Sequence, residues 1–104
     1  MNSVTVELWL WLGRELKEDF ESLSEMRSAR KEVVEEGTNI GQLLNHLANR
    51  YDPFRQEIFD IREKRLHPQV VLTYNDRVIS PHDLYEQVLK EGDKITIMPL
   101  YTGG

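Results

Sequence analysis

From Val4 to Leu12 the chain alternates strictly, with Val4, Val6, Leu8, Leu10 and Leu12 on one face and Thr5, Glu7, Trp9 and Trp11 on the other. A period of two predicts a β-strand buried on one side, and its aliphatic face suits a central position in a sheet. The following stretch, Gly13 to Ala29, is charged and carries Leu16, Phe20 and Leu23 at helical spacing, and Arg30 to Val34 predicts a short second strand. The first hairpin is therefore expected to carry a long insertion over 13–29.

The clearest helix follows Gly37. Asn39 with Gln42 three residues on has the pattern of a capping box, and Ile40, Leu43, Leu44, Leu47 and Tyr51 recur on one helical face as far as about Arg50. Asp52-Pro53 can start a shorter helix with Phe54, Ile58 and Ile61 on one side, because proline is tolerated at the first helical position. Gln69 to Tyr74, the Asn75-Asp76 pair and Val78-Ile79 predict a strand, a tight left-handed turn and a return strand. Ser80-Pro81-His82-Asp83 offers a serine cap and a proline at the first helical position, predicting a short helix through about Leu89. After a turn at Glu91-Gly92-Asp93, Ile95 and Ile97 alternate against Thr96 and Met98, and Pro99, which cannot donate to a ladder, marks where pairing should stop. This order predicts an α+β fold in two layers, a mixed sheet packed on one main helix. One domain over 1–104 is expected, ending in a flexible tail at 101–104.

Composition narrows the chemistry. A chain of 104 residues has room for one core. The absence of cysteine excludes disulfides, thiolate metal sites, iron-sulfur clusters and a cysteine nucleophile. A net charge of −5 is repelled by phosphate backbones, so nucleic acid is not an expected partner. No run approaches the roughly 20 apolar residues of a membrane helix, and the N-terminus has neither a basic leader nor a small-residue cleavage site. The expectation is a cytoplasmic protein without a membrane partner. His46, His67 and His82 lie far apart with no second ligand at metal-binding spacing, which predicts no metal and no bound cofactor. No phosphate-binding loop or nucleophile–base pair is visible, and Glu7, Glu35 and Glu36 read as solvated charges, so no intrinsic catalytic site is expected.

What remains is the end of the chain. Gly103-Gly104 follows Pro99-Leu100-Tyr101-Thr102 directly, and with glycine near 7% of residues two in a row arise at a given site with a frequency of about 0.5%. Glycines without a Cβ can enter a channel too narrow for side chains, and four residues beyond Leu100 at ~3.3 Å each reach about 13 Å. Trp9 and Trp11 lie on the face without a helix, where they would either dock a partner or be covered by the insertion. Met98, Tyr101 and Thr102 flank the root of the tail, with docking or local packing as alternative roles.

The element order closed by Gly103-Gly104 resembles the ubiquitin-like β-grasp sulfur carriers of the MoaD/ThiS type, especially the small subunit of molybdopterin synthase. Three stretches carry the resemblance: Gly37 through Leu44, Leu66-His67-Pro68-Gln69-Val70 running into Val71 through Asp76, and Glu91-Gly92-Asp93-Lys94-Ile95 through Pro99 to Gly103-Gly104. The insertion and the long Tyr51 to Leu66 connection depart from the minimal ThiS pattern. The resemblance implies a carrier rather than a catalyst. A ubiquitin-activating-like adenylyltransferase of the MoeB/ThiF type would use ATP to adenylate Gly104, and a sulfur donor would displace AMP to leave a thiocarboxylate. The client would be the large, MoaE-type subunit of molybdopterin synthase or another sulfur acceptor. Thiamine or tRNA thiolation, attachment to proteins as a ubiquitin-like modifier, and a non-conjugating interaction module are the alternatives.

Overall fold

The computed structural model describes residues 1–9, 12, 16 and 19–100. The strands are β1 (Asn2–Trp9), β2 (Glu21–Ser24), β3 (Arg27–Val34), β4 (Phe59–Asp60), β5 (Arg65–Leu66), β6 (Val70–Tyr74), β7 (Arg77–Val78) and β8 (Lys94–Pro99). The helices are α1 (Ile40–Arg50) and α2 (Asp52–Glu57). Six strands form one mixed sheet in the order β2-β3-β1-β8-β6-β7, while β4 and β5 pair as a separate small hairpin. Only β1 and β8 run parallel, with Leu8 opposite Ile97; the other neighbours are antiparallel. The α+β reading of a mixed sheet on one main helix holds, and β1 is central between β3 and β8.

The period-two pattern of β1 sends Val4, Val6 and Leu8 inward, where they are at most 1% exposed. Ile40, Leu43, Leu44, Leu47 and Ala48 of α1 meet this layer together with Leu72, Ile95 and Ile97. The start of α1 leaves no orphan donor. Asn39 and Gln42 close the expected capping box, Leu43 N–H donates to Asn39 O, and Ile40 and Gly41 N–H donate to Gln87 O and Leu84 O at 3.1 and 2.9 Å.

Those last two bonds explain one departure from expectation. The helix predicted from Pro81 to Leu89 is a single 3-10 turn, Pro81–Asp83, capped by Ser80. The carbonyls of Leu84 and Gln87 serve the start of α1, and Leu89 N–H donates to Thr38 O at 2.8 Å, so the segment cannot continue its own ladder.

The helical reading of 13–29 also fails in its second half. Glu21–Ser24 is β2, and the second strand starts at Arg27 rather than Arg30, pairing with both β1 and β2. Leu16 and Phe20 are buried, but Leu23 is 49% exposed, because the chain has left helical geometry before reaching it. The β6–β7 turn is as expected: Asn75 and Asp76 both take positive φ, at 48° and 70°.

Candidate functional site

The last strand sets the geometry. Asp93 fixes the start of β8: its carboxylate accepts from Tyr74 Oη at 2.6 Å, Asn75 Nδ2 at 3.0 Å and the Lys90 backbone N–H at 2.7 Å. Burial pushes the Asp93 carboxyl up, but these donors outweigh it and hold the group below the ordinary aspartate value. Burial, with the bond to Asp93, pushes Tyr74 up to about 12. At the other end Pro99 sits opposite Val70 as the last residue of the strand, and Leu100 N–H donates to Gln69 O at 2.6 Å. Pro99 thus occupies a position where no backbone donor is needed. The root of the tail is clamped immediately before Tyr101.

Because β1 and β8 are parallel, the end of β1 lies beside this root. Leu8 faces Ile97, so Trp9 and Met98 fall side by side on the outer face, away from α1. Both line one groove of about 240 Å³ together with Glu7, Arg27, Thr73 and Thr96. Two of the residues singled out for docking, Trp9 and Met98, are therefore brought together. Trp11, Tyr101, Thr102, Gly103 and Gly104 lie outside the described residues.

Sequence reasoning missed the group that organises this face. Glu7 is 4% exposed, a buried carboxylate rather than a solvated one. Arg27, opposite Trp9 on β3 and diagonal to Glu7, donates through Nε and Nη2 at 3.1 and 3.0 Å, and Trp9 Nε1 donates to the same carboxylate. Arg27 also stacks over the Trp9 ring at 5.3 Å from its centroid. Burial raises the Glu7 pKa, but the Arg27 and Trp9 hydrogen bonds and the charges of Arg27 and Lys94 outweigh it, leaving the group lowered. The signal in the sequence is an acid between Thr5 and Trp9 on one strand face; its partner is hidden because the spacing over 13–29 places Arg27 in a helical insertion.

The histidines do not converge. His67 Nε2 lies 2.8 Å from Arg55 O, and the His82 backbone N–H approaches Ser80 Oγ at 3.4 Å. Among the described residues no group of three or more His, Asp or Glu side chains is placed to hold a metal. No helix among them is long and apolar enough to cross a membrane.

The model of the ThiS family matches residues 20–104, most of the chain and all of the strand that carries the tail. The chain belongs to the ThiS family. It is a ubiquitin-like protein of the ThiS/MoaD sulfur-carrier type. No curated protein matches it in sequence. Its fold is similar to that of the small archaeal modifier protein SAMP1 from Haloferax volcanii, with a TM-score of 0.71 at 16% identity over 99% of this chain and 100% of that one. It is similar also to a putative molybdopterin converting factor, subunit 1, from Pyrococcus furiosus, with a TM-score of 0.68 at 19% identity over 97% of this chain and 100% of that one. A Haloferax volcanii protein solved in solution gives 0.63 at 20% identity, over 99% of this chain and 89% of that one. At these identities the likenesses concern the fold. The Trp9–Met98 face lies beside the end of β8 that runs into Leu100.

Proposed function

We propose that this ThiS-family protein carries sulfur as a thiocarboxylate on Gly104 and delivers it to molybdopterin or tungstopterin synthesis. The observation that carries the reading is the course of β8, a central strand held on both sides and at both ends, leading through Leu100 directly to Gly103-Gly104. The family match supports the carrier class, and the likeness to the Pyrococcus protein favours molybdopterin as the client.

An α-carboxylate is ionised at neutral pH, so its oxygen can attack the α-phosphorus of ATP with loss of pyrophosphate. The acyl-adenylate gives the carbonyl carbon a good leaving group. The terminal sulfur of a donor persulfide then expels AMP to give an acyl disulfide, and a second thiol of the donor attacks the donor-side sulfur, leaving as a disulfide and freeing the thiocarboxylate; hydrosulfide would give the thiocarboxylate directly with loss of AMP and a proton. The chain supplies the acyl group; an adenylyltransferase of the ubiquitin-activating type supplies ATP and catalysis. In this reading Trp9, Met98 and the Glu7–Arg27 pair form the face that such an enzyme and the large synthase subunit grip, while Tyr101 and Thr102 pass into their channels. The protein acts in the cytoplasm and binds no cofactor of its own.

A second reading, attachment to lysines as a ubiquitin-like modifier, is favoured by the TM-score of 0.71 to SAMP1. It shares the adenylation step and differs in the final nucleophile. Intact-mass analysis after incubation with ATP, the host's activating enzyme and a sulfur donor tests both. The full-length chain should gain the mass of one sulfur replacing one oxygen, and a chain lacking Gly104 should not. No change in the full-length chain, with an enzyme demonstrably active on another carrier, refutes the proposal; isopeptide-linked conjugates without a thiocarboxylate select the modifier.

A further inference from the structure

The hairpin of β4 and β5 turns through Ile61-Arg62-Glu63-Lys64, and three of the five residues from 61 to 65 are cationic in a chain of net charge −5. The turn is built rather than loose. Asp60 Oδ1 accepts from the Arg62 and Glu63 N–H groups at 2.9 and 3.0 Å. The bonds from Glu63 and Arg62, with the charge of nearby Arg65, outweigh desolvation and hold the Asp60 carboxyl below the ordinary aspartate value, so this cap persists at neutral pH. At the base of the hairpin Phe59 and Leu66 pair and are buried. The cations stay in solvent: Arg62, Lys64 and Arg65 are exposed, and among the described residues none of them forms an ion pair.

Lys64 stands where its backbone does not favour it. Its φ is 55°, a left-handed conformation suited to Gly or Asn, and the other described non-glycine residues with positive φ are Asn75 and Asp76. Lysine has no short polar side chain to compensate. The turn is also tied to the root of the tail. His67 N–H donates to Ile58 O at 2.8 Å, Val70 N–H to His67 O at 3.1 Å, and Gln69 O accepts from Leu100 N–H at 2.6 Å. From Arg65 to Gln69 the chain spans about 14 Å at most. The cations therefore lie near the point where β8 runs into Leu100.

We propose that the 61–65 turn docks on an acidic rim beside the channel of the activating enzyme, with Arg62, Lys64 and Arg65 meeting its carboxylates as residues 101–104 enter. This rests on the sulfur-carrier reading above. The occupant follows from charge: exposed cations without a described partner are complementary to carboxylates, and the capped turn presents them already ordered. Charges at a rim act on the rate and orientation of encounter rather than on the chemical step. The turn is distinct from the Trp9–Met98 face. It reaches β8 through β6, whereas Trp9 flanks β8 through β1, so the two surfaces hold the root from opposite sides.

The test uses the full-length protein, the host's activating enzyme and ATP, and follows pyrophosphate release against carrier concentration at about 50 mM and about 500 mM salt. Arg62→Glu with Arg65→Glu should raise KM for the carrier by about tenfold or more at low salt, leave kcat within about twofold, and lose most of the difference at high salt. Lys64→Asn relieves the left-handed lysine, so the unfolding midpoint should hold or rise while KM rises by about threefold; a residue serving only the fold would not separate the two. Arg77→Glu, an exposed change at the opposite end of β6, should move KM by no more than about twofold. If the wild type is activated and the double variant keeps KM within about twofold at low salt, or loses kcat instead, the docking turn is overturned and the carrier reading stands. A wild type that is never activated overturns both.

Discussion

Replacing Glu7 with alanine tests whether the outer face is organised by a buried carboxylate or merely decorated by a surface charge. Glu7 is 4% exposed and accepts from Arg27 twice and from Trp9 once. Hydrogen bonds to a charged group contribute about 1.5–3 kcal/mol each in favourable settings. The Arg27 side chain is 45% exposed, so on losing Glu7 it recovers much of its hydration, and the sum must be discounted accordingly. A net cost of about 2 kcal/mol follows, which for a domain of this size lowers the unfolding midpoint by roughly 8–16 °C. Circular dichroism at neutral pH measures the midpoint, and the indole N–H resonance of Trp9 reports the lost bond. The sign with pH is fixed by the lowered Glu7 pKa: the stabilisation is present above the unfolded value, near 4.5, and disappears as pH falls through the folded value. The gap between wild type and Glu7→Ala should therefore close in acid. A destabilisation below about 0.5 kcal/mol at neutral pH, the level of an ordinary surface change, would refute the reasoning.

Other perturbations follow from equally specific contacts. A Cβ at Gly41 would lie 2.5 Å from Tyr85 Cε1, so Gly41→Ala should displace the ring and gain little or nothing; in a Tyr85→Ala background the same change should stabilise by about 1 kcal/mol through helix propensity, measured by urea denaturation. Asn39→Ala opens the capping box and should cost about 1 kcal/mol in the same assay, with amide exchange rising first at Gln42. Asp93→Ala removes the acceptor shared by Tyr74, Asn75 and the Lys90 N–H, and should return the Tyr74 phenol from about 12 toward 10, read by ultraviolet titration.

The parts of the fold that were legible in the sequence are those whose signal is local. The capping box at Asn39 and Gln42, the apolar stripe of α1 and the left-handed Asn75-Asp76 turn each depend on a few neighbouring residues. The misread parts depend on partners distant in sequence. The Pro81 helix stops because α1 uses its carbonyls, and Leu16, Phe20 and Leu23 imitate a helix although Glu21–Ser24 pairs with β3. Ile61 fits the face of the second helix by spacing, but α2 ends at Glu57 and the chain turns into β4. The site followed the same rule: Trp9 and Met98 were visible as outer-face residues, whereas the ion pair between them and β3 needed the register of two strands.

The placement of β8 fixes the strand that leads into residues 101–104. In the proposed function a partner that draws residues 101–104 into a channel would pull on Leu100, and the load would pass through its bond to Gln69 O into a strand flanked on both sides, by β1 in parallel and β6 antiparallel. The far end of that strand is held by Asp93. An edge strand in this role would peel, because its ladder opens one bond at a time from a single side. The missing Cβ of glycine suits a narrow channel. In that proposal recognition would reside in the face beside Leu100, and carriers with the same terminal glycines would be told apart by groups such as Arg27 stacked on Trp9, which Glu7 holds in one orientation.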